Sequence, residues 1–400
     1  MRGLRNQDSF GLLGRAQHVL VSEVPALIVL AYVSLLVFGL IDNVRGPFYP
    51  EILSTLKLDG TQGSAFFAVT SFFGVVGSFY CGRLVRRFPS VNVLLFATLL
   101  LGLGFIAISR ATNLLVLSLS CVGFGFAFGL LNVSQNLVVL ENAPLALRRR
   151  IFSGLHAMYG MASLAAPLLA TGLRERGFGW RDAFLILSAA PVLVALWGWR
   201  HRATRNHAPG MANPALAARD RTVAIGYSLL LGGYLWGELS VSTRLVLWLR
   251  AERGMDPASA DYVLAGFFSA LLCGRIAFSF LNFERFGNVL ILMLSTGLAA
   301  VLYAVGLHHS PWWIVAAGLA MSPFYPVLMT QISHRFGEGS AAAMGWTMGI
   351  GNLSLVLMHV TIGALSDAFG LTRALYAAIA GLILVTIALL TLHSKERRAA

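Results

Sequence analysis

Apolar runs long enough to cross a bilayer recur along this chain, separated by short polar segments. A transmembrane helix needs about 20 mostly apolar residues. On that measure the pattern predicts twelve helices, near residues 24–46, 62–84, 91–109, 114–140, 151–173, 182–199, 222–249, 260–281, 288–307, 312–333, 341–364 and 373–392. The longest interior polar segment, "RHRATRNHAPGMANPALAARDR" from Arg200 to Arg221, contains Pro209, Gly210 and Pro214 and reads as a linker. The organisation that follows is a polar tail over 1–23, a six-helix bundle over 24–199, the linker over 200–221, a second bundle over 222–392 and a short tail over 393–400.

The two halves repeat each other. "CGRLVRRF" from Cys81 matches "CGRIAFSF" from Cys273, each at the end of its half's second helix. Gly154, Gly160 and Gly172 match Gly345, Gly351 and Gly363 at a constant offset of 191, close to the 192 of the Cys-Gly-Arg pair. A shared offset across several matches marks a duplicated unit. The expected fold class is therefore an all-α membrane protein of twelve transmembrane helices in two pseudo-symmetric six-helix bundles. Two parallel repeats of this kind place a solute site between the halves.

Composition supports the bilayer as solvent. Of the 400 residues 57% are hydrophobic and 12% charged, against about 25% charged in a soluble domain. The net charge of +13 is explained largely by topology rather than by a nucleic-acid partner, because no basic cluster interleaved with aromatics occurs in a soluble module. With the amino terminus in the cytoplasm, the inner segments hold 20 of the 30 basic residues, among them Arg83, Arg86, Arg87, Arg148, Arg149 and Arg150. That bias places both termini inside. The segment with Arg174, Arg176 and Arg181 goes against it, since it falls on the outer side. Cys81, Cys121 and Cys273 lie in apolar runs without metal-ligand spacing and read as small core residues. No cofactor or metal motif is present. Neither HExxH nor a nucleophile elbow occurs, so the chain is not expected to be an enzyme.

"GRLVRRFPSVNVL" after the second helix, "GWRDAFLI" from Gly179 and "GALSDAFG" from Gly363 resemble motifs of the major facilitator superfamily. The first departs from its pattern, with Arg86 where the family has an acid and Pro89 where it has a glycine. Within the superfamily the chain is most similar to the fucose/glucose–proton symporter branch, through "GLLNVSQNLVVLENAP" from Gly129, "RRRIFSGLHAMYGMASLAAP" from Arg148 and "MSPFYPVLMTQISHRFGEGSAAAMGWTMG" from Met321. Fucose permeases carry acids at positions that align with Gly46 and Asn132. This chain lacks both acids, but Asp42 lies one helical turn before Gly46. The resemblance implies proton-coupled uptake of a sugar-like solute through a bacterial inner membrane.

Charged and polar residues inside the spans are the candidate site, because a charge at mid-bilayer costs about 2.5–3.5 kcal/mol on insertion scales. Asp42, Glu238 and His156 are the expected proton-coupling groups. Arg45, at i+3 from Asp42, is its expected partner and, with Asn43, a solute contact. Gly46, Pro47 and Pro50 are expected to weaken the first helix beyond them. Arg244 is an alternative structural partner for Glu238. Asn132, Gln135 and Asn136 put three amides on one face of the fourth helix, suited to a solute with many hydroxyls, or to interhelical hydrogen bonds. Tyr159, Trp236, Phe324, Tyr325, Gln331, Trp346, Asn352 and His359 complete the expected solute contacts, and "SPFYP" from Ser322 predicts a kink in the tenth helix. Acid–arginine pairs drawn from Arg83, Arg86 and Glu141 in one half, and from Arg275, Arg285 and Glu338 in the other, are expected to close the inner end. The expected partners are a small solute, protons and lipid, with the protein acting as a monomer. A drug or metabolite exporter on the same fold is the alternative. Its usual Gly-Pro motif is degenerate here, with Ala166 before Pro167.

Overall fold

The computed structural model describes residues 24–144, 146–202, 217–280 and 287–399. The described residues form helices and no strands. The helices are α1 (Val24–Leu56), α2 (Gly60–Arg87), α3 (Ser90–Ser109), α4 (Leu114–Asn142), α5 (Arg148–Glu175) and α6 (Trp180–Gly198), then α7 (Ala218–Ala251), α8 (Pro257–Phe280) and α9 (Asn288–His308). They continue with α10 in two pieces, α10a (Trp312–Met321) and α10b (Phe324–Phe336), then α11 (Ser340–Phe369) and α12, a short α12a (Leu371–Ala374) followed by α12b (Tyr376–Ala399). The tail over 1–23, residues 203–216 of the linker and Arg285 lie outside the described residues.

Ten of these spans are apolar and long enough to cross a membrane on composition alone. The other two, α5 and α7, have the length but a polar content that lowers their hydropathy. They are the helices that carry His156 and Tyr159, and Glu238 and Arg244.

Within each half the same neighbours pack together. α2 and α3 both pack on α4, α1 packs on α5, and α6 packs on α3 and α1. In the second half α8 and α9 pack on α10, α7 on α11, and α12 on α9 and α7. Adding six to each helix number turns one set into the other, which is the structural counterpart of the sequence repeat. Each half has its own apolar core, one from Leu30 to Val194 and one from Ala224 to Leu389. The halves meet through α2 against α11, α5 against α8, and α1 against α7. We call the end where α1 begins and α12 finishes the terminal end, and the opposite one the distal end.

Two local expectations come out differently. α1 does not weaken at Gly46, Pro47 and Pro50 but runs on to Leu56. Each proline removes one backbone donor, so the Asn43 and Gly46 carbonyls, four residues before Pro47 and Pro50, lose their helical donors, yet the helix continues; the Pro47 carbonyl additionally accepts the Arg174 Nη2–H at 2.6 Å. A proline is tolerated in a membrane helix where surrounding protein encloses it. In α10 the predicted kink is a full break at Ser322–Pro323. There the Ala320 carbonyl accepts Ser295 Oγ at 2.7 Å and the Met321 carbonyl accepts the Tyr234 hydroxyl at 3.5 Å. Of the cysteines, Cys81 and Cys121 are buried as expected, whereas Cys273 is exposed.

Candidate functional site

Midway along α1, Asp42 and Arg45 form an ion pair on one face. Arg45 also donates from Nε to the Asp42 carbonyl at 3.1 Å. Its guanidinium is walled in by the rings of Phe66, Phe67 and Phe124, with centres 5.5, 5.2 and 5.1 Å away. The second oxygen of Asp42 accepts the Tyr159 hydroxyl of α5 at 2.6 Å. Asn43 is buried and turned back on its own helix, donating to the Gly39 carbonyl at 2.9 Å.

Facing this group across the interface is a matching one. Glu238 of α7 meets Arg275 of α8, with the nearest oxygen 3.5 Å from Nη2. Tyr234 lies against both, and its ring stacks on Phe324 at 4.2 Å. The Tyr325 ring centre is 6.0 Å from the Arg275 guanidinium. Tyr159 is within electrostatic range of Glu238 as well as Asp42, and His156 within range of Arg275. One acid–arginine pair from each half thus borders a common polar centre. Arg244, the alternative partner for Glu238, is elsewhere: it is buried and donates to Ser64 Oγ of α2 at 3.1 Å.

The distal end is sealed by a network that sequence reasoning did not anticipate. Arg174 of α5 donates to Glu51 of α1 at 3.0 Å and pairs with Asp261 of α8, which is fully buried and also accepts Thr171 Oγ1 at 2.9 Å. Arg250 of α7 donates to Glu51 at 2.7 Å. Arg174–Asp261 and Glu51–Arg250 both join one half to the other. Alongside them, Asp367 near the end of α11 accepts the amides of Gly60 and Thr61, each at 2.7 Å. Two arginines of the basic segment expected to run against the charge bias are accounted for here. Arg174 belongs to this seal, while Arg181 donates to the Ala111 carbonyl at 2.6 Å and stacks on Trp180. The signal available in the sequence was an arginine on the wrong side of the charge rule and an acid, Asp261, inside an apolar run.

Toward the terminal end the interface opens. Ser153 and His156 of α5 are exposed on the side that faces Arg275, whereas Tyr49, Arg244 and Asp261 on the distal side are buried. The halves are therefore joined distally and parted at the terminal end. The residues expected to pair at the inner end lie toward that parted region, Arg285 being outside the described residues. Arg83 and Arg86 are exposed, Glu141 accepts the Ser90 hydroxyl, and Arg275 reaches into the centre toward Glu238 instead. Glu338 falls in the turn Gly337–Gly339 before α11.

The remaining predicted contacts divide between centre and scaffold. Asn136 Nδ2 donates to the Asn132 carbonyl at 2.7 Å, and both amides are half-buried. Phe128, one turn before Asn132, meets Phe38 of α1, so this face borders α1. Gln135 points into the first half's core, 1% exposed. Trp236 joins α7 to α11 through Ser354 at 3.1 Å. Trp346 is exposed, while Gln331 and Asn352 are half-buried. His359 is buried and stacks on Phe67 of the opposite half at 5.2 Å, making it part of the distal interface. Among the described residues no three His, Cys, Asp or Glu side chains gather as a metal site.

A sequence model of the Major Facilitator Superfamily matches residues 31–357. The chain belongs to this superfamily. Its members are transporters, and the chain is accordingly not an enzyme. A cis,cis-muconate transport protein of Acinetobacter baylyi is 24% identical over 344 residues, 79% of this chain and 80% of that protein. Among solved structures, a bacterial homolog of the human lysosomal transporter Spinster in an inward-facing state has TM-score 0.74 and 14% identity, covering 92% of this chain and 96% of its own. A D-xylose–proton symporter has TM-score 0.73 and 14% identity, covering 92% and 97%. These likenesses establish the superfamily fold.

Proposed function

We propose that this protein is a secondary carrier that moves a small polar, sugar-like solute across a bacterial inner membrane by alternating access, coupled to protons. The observation that carries the reading is the pair of facing acid–arginine couples, Asp42–Arg45 with Tyr159 and Glu238–Arg275 with Tyr234, at the junction of the two halves. Ionisable groups at membrane depth that pair with each other and border a cavity are the usual elements of a proton relay. Asp42 takes the coupling role one turn before the position where the fucose branch has its acid. A Cβ at Gly46 would lie 2.0 Å from the Ser242 carbonyl of α7, so a larger side chain there does not fit while the distal end is closed. Asn132, Asn136 and the tyrosines supply hydroxyl-matching groups, and Tyr325 an aromatic face.

In this reading the terminal end faces the cytoplasm, as the arginine bias requires, and the conformation described is inward-facing. The site is complete within one chain, which fits a monomer. Arg83, Arg86, Glu141 and Glu338 then serve the opposite, outward-facing state, in which the terminal end closes.

The test is uptake of labelled sugars and polyols by proteoliposomes, with and without an inward proton gradient. Accumulation that needs the gradient, and that is lost in an Asp42→Asn/Glu238→Gln double variant, is the expected result. Gradient-driven accumulation that survives both substitutions would refute the coupling assignment. Solute leaving the vesicles against the gradient would favour the exporter.

A further inference from the structure

The central arginines differ in how fully they are used. A guanidinium has five N–H donors, and its pairing with a carboxylate normally closes to about 2.7–2.9 Å, often with two parallel bonds. Arg174 approaches that, with donors on Glu51, Asp261 and the Pro47 carbonyl. Arg45 is bonded to the Asp42 side chain and carbonyl and enclosed by three aromatic rings; its Nη1 has no partner among the described residues, but the rings shut it off from the interface. Arg275 has one ion-pair contact, at 3.5 Å, and the Tyr234 hydroxyl beside it, its side chain is 31% exposed, and its Nε has no partner among the described residues. It sits on the parted side of the interface, opposite the exposed His156.

At the centre Arg45 is matched by Asp42 and Arg275 by Glu238, but the second match is loose, 3.5 Å against about 2.7–2.9 Å for a closed pair. A cation would be repelled by the Arg275 guanidinium and a neutral solute offers it only dipoles, whereas a carboxylate can close on it with two parallel bonds.

From these observations we infer that the solute is a small hydroxylated carboxylate, of the sugar-acid class, and that Arg275 is the residue that binds its carboxylate. This deepens the polar-solute reading and rests on it. Arg275 turns its fork from Glu238 onto the incoming acid, between Tyr234 and Tyr325, and the hydroxyls are left to Tyr159, Asn132 and Asn136. Arginine suits the task because its planar donors match a carboxylate two at a time.

The test uses the full chain purified in detergent, with thermal melting followed as D-gluconate or D-galacturonate is added beside their uncharged counterparts, D-gluconamide and D-galactose. The acids are expected to raise the melting midpoint at concentrations where the uncharged compounds have little effect. Arg275→Gln should weaken acid binding on the order of a hundredfold and abolish the preference, leaving the weak response to the uncharged compounds unchanged. If Arg275→Gln does not fold, Arg275→Lys decides: a point charge in place of the fork should weaken the acids but not the neutral sugars. Equal binding of acids and uncharged counterparts overturns the inference, as does an acid preference that survives substitution of Arg275. If no compound binds, charged or neutral, the polar-solute reading falls with it.

Discussion

Replacing Arg174 by alanine should release the distal seal and shift the carrier toward its distal-open state. The side chain holds Glu51 at 3.0 Å, the Pro47 carbonyl at 2.6 Å and the carboxylate of Asp261, whose side chain is 0% exposed. The Glu51 and Pro47 bonds stay within one half and do not distinguish the two states directly. The Asp261 bond crosses between halves and is lost when they part. Breaking a buried pair from one side costs about 3–5 kcal/mol, because the remaining charge is left uncompensated. Thr171 still donates to Asp261 at 2.9 Å, and water reaches the carboxylate once the halves separate, so the lower part of that range applies. About 3 kcal/mol corresponds to a shift of roughly 150-fold in the ratio of the two states. The measurement is the distance between spin labels on distal loops of opposite halves, at Thr112→Cys and Glu252→Cys, with Cys81, Cys121 and Cys273 replaced. Both labelled positions are exposed. The Arg174→Ala protein should show a longer distance population as its main component. Arg176→Ala should show none, because Arg176 donates to the Gly172 carbonyl of its own helix and not across the interface among the described residues. An unchanged distance distribution in Arg174→Ala would refute the view that this network holds the distal end shut.

Three further outcomes follow from particular contacts. Gly46→Ala should block distal closure, since its Cβ would come within 2.0 Å of the Ser242 carbonyl across the interface; transport should fall steeply while the melting temperature changes little. Gly129→Ala, whose Cβ would lie 1.9 Å from the Gly74 carbonyl inside the first half, should instead lower expression and thermal stability, so equal effects of the two on stability would contradict the assignment. Tyr159→Phe removes the 2.6 Å bond to Asp42, worth about 1.5–3 kcal/mol as a bond to a charged group, and should reduce proton-driven uptake more than solute exchange at equal pH. Asp256 accepts the Ser259 amide at 3.0 Å at the start of α8, and that hydrogen bonding holds its carboxyl below the usual range. A depressed acid contributes stability above its unfolded pKa, about 3.9, and loses it as pH falls. Asp256→Ala should therefore melt lower than the native protein near neutral pH, with the gap closing in acid.

The sequence by itself determined the fold. Hydrophobic runs of bilayer length, a long polar segment between the sixth and seventh and glycines repeated at an offset of 191 sufficed for twelve spans in two related halves, because in lipid every backbone group must be satisfied within a helix and little else can span. The Asp42–Arg45 pair was legible too, since i, i+3 residues share a helical face whatever the tertiary structure. What joins different helices was not. That Glu238 pairs with Arg275 rather than with Arg244 on its own helix, that Arg174 reaches Asp261, 87 positions along the chain, and that His359 stacks on Phe67 all depend on how two rigid bundles are set against each other. Periodicity fixes which face of a helix a residue occupies, but not which helix lies opposite or which end of the interface is closed. Those were decided by the packing of α1 on α7, α2 on α11 and α5 on α8, where close contact between the halves brings together charges that no local spacing in the chain connects.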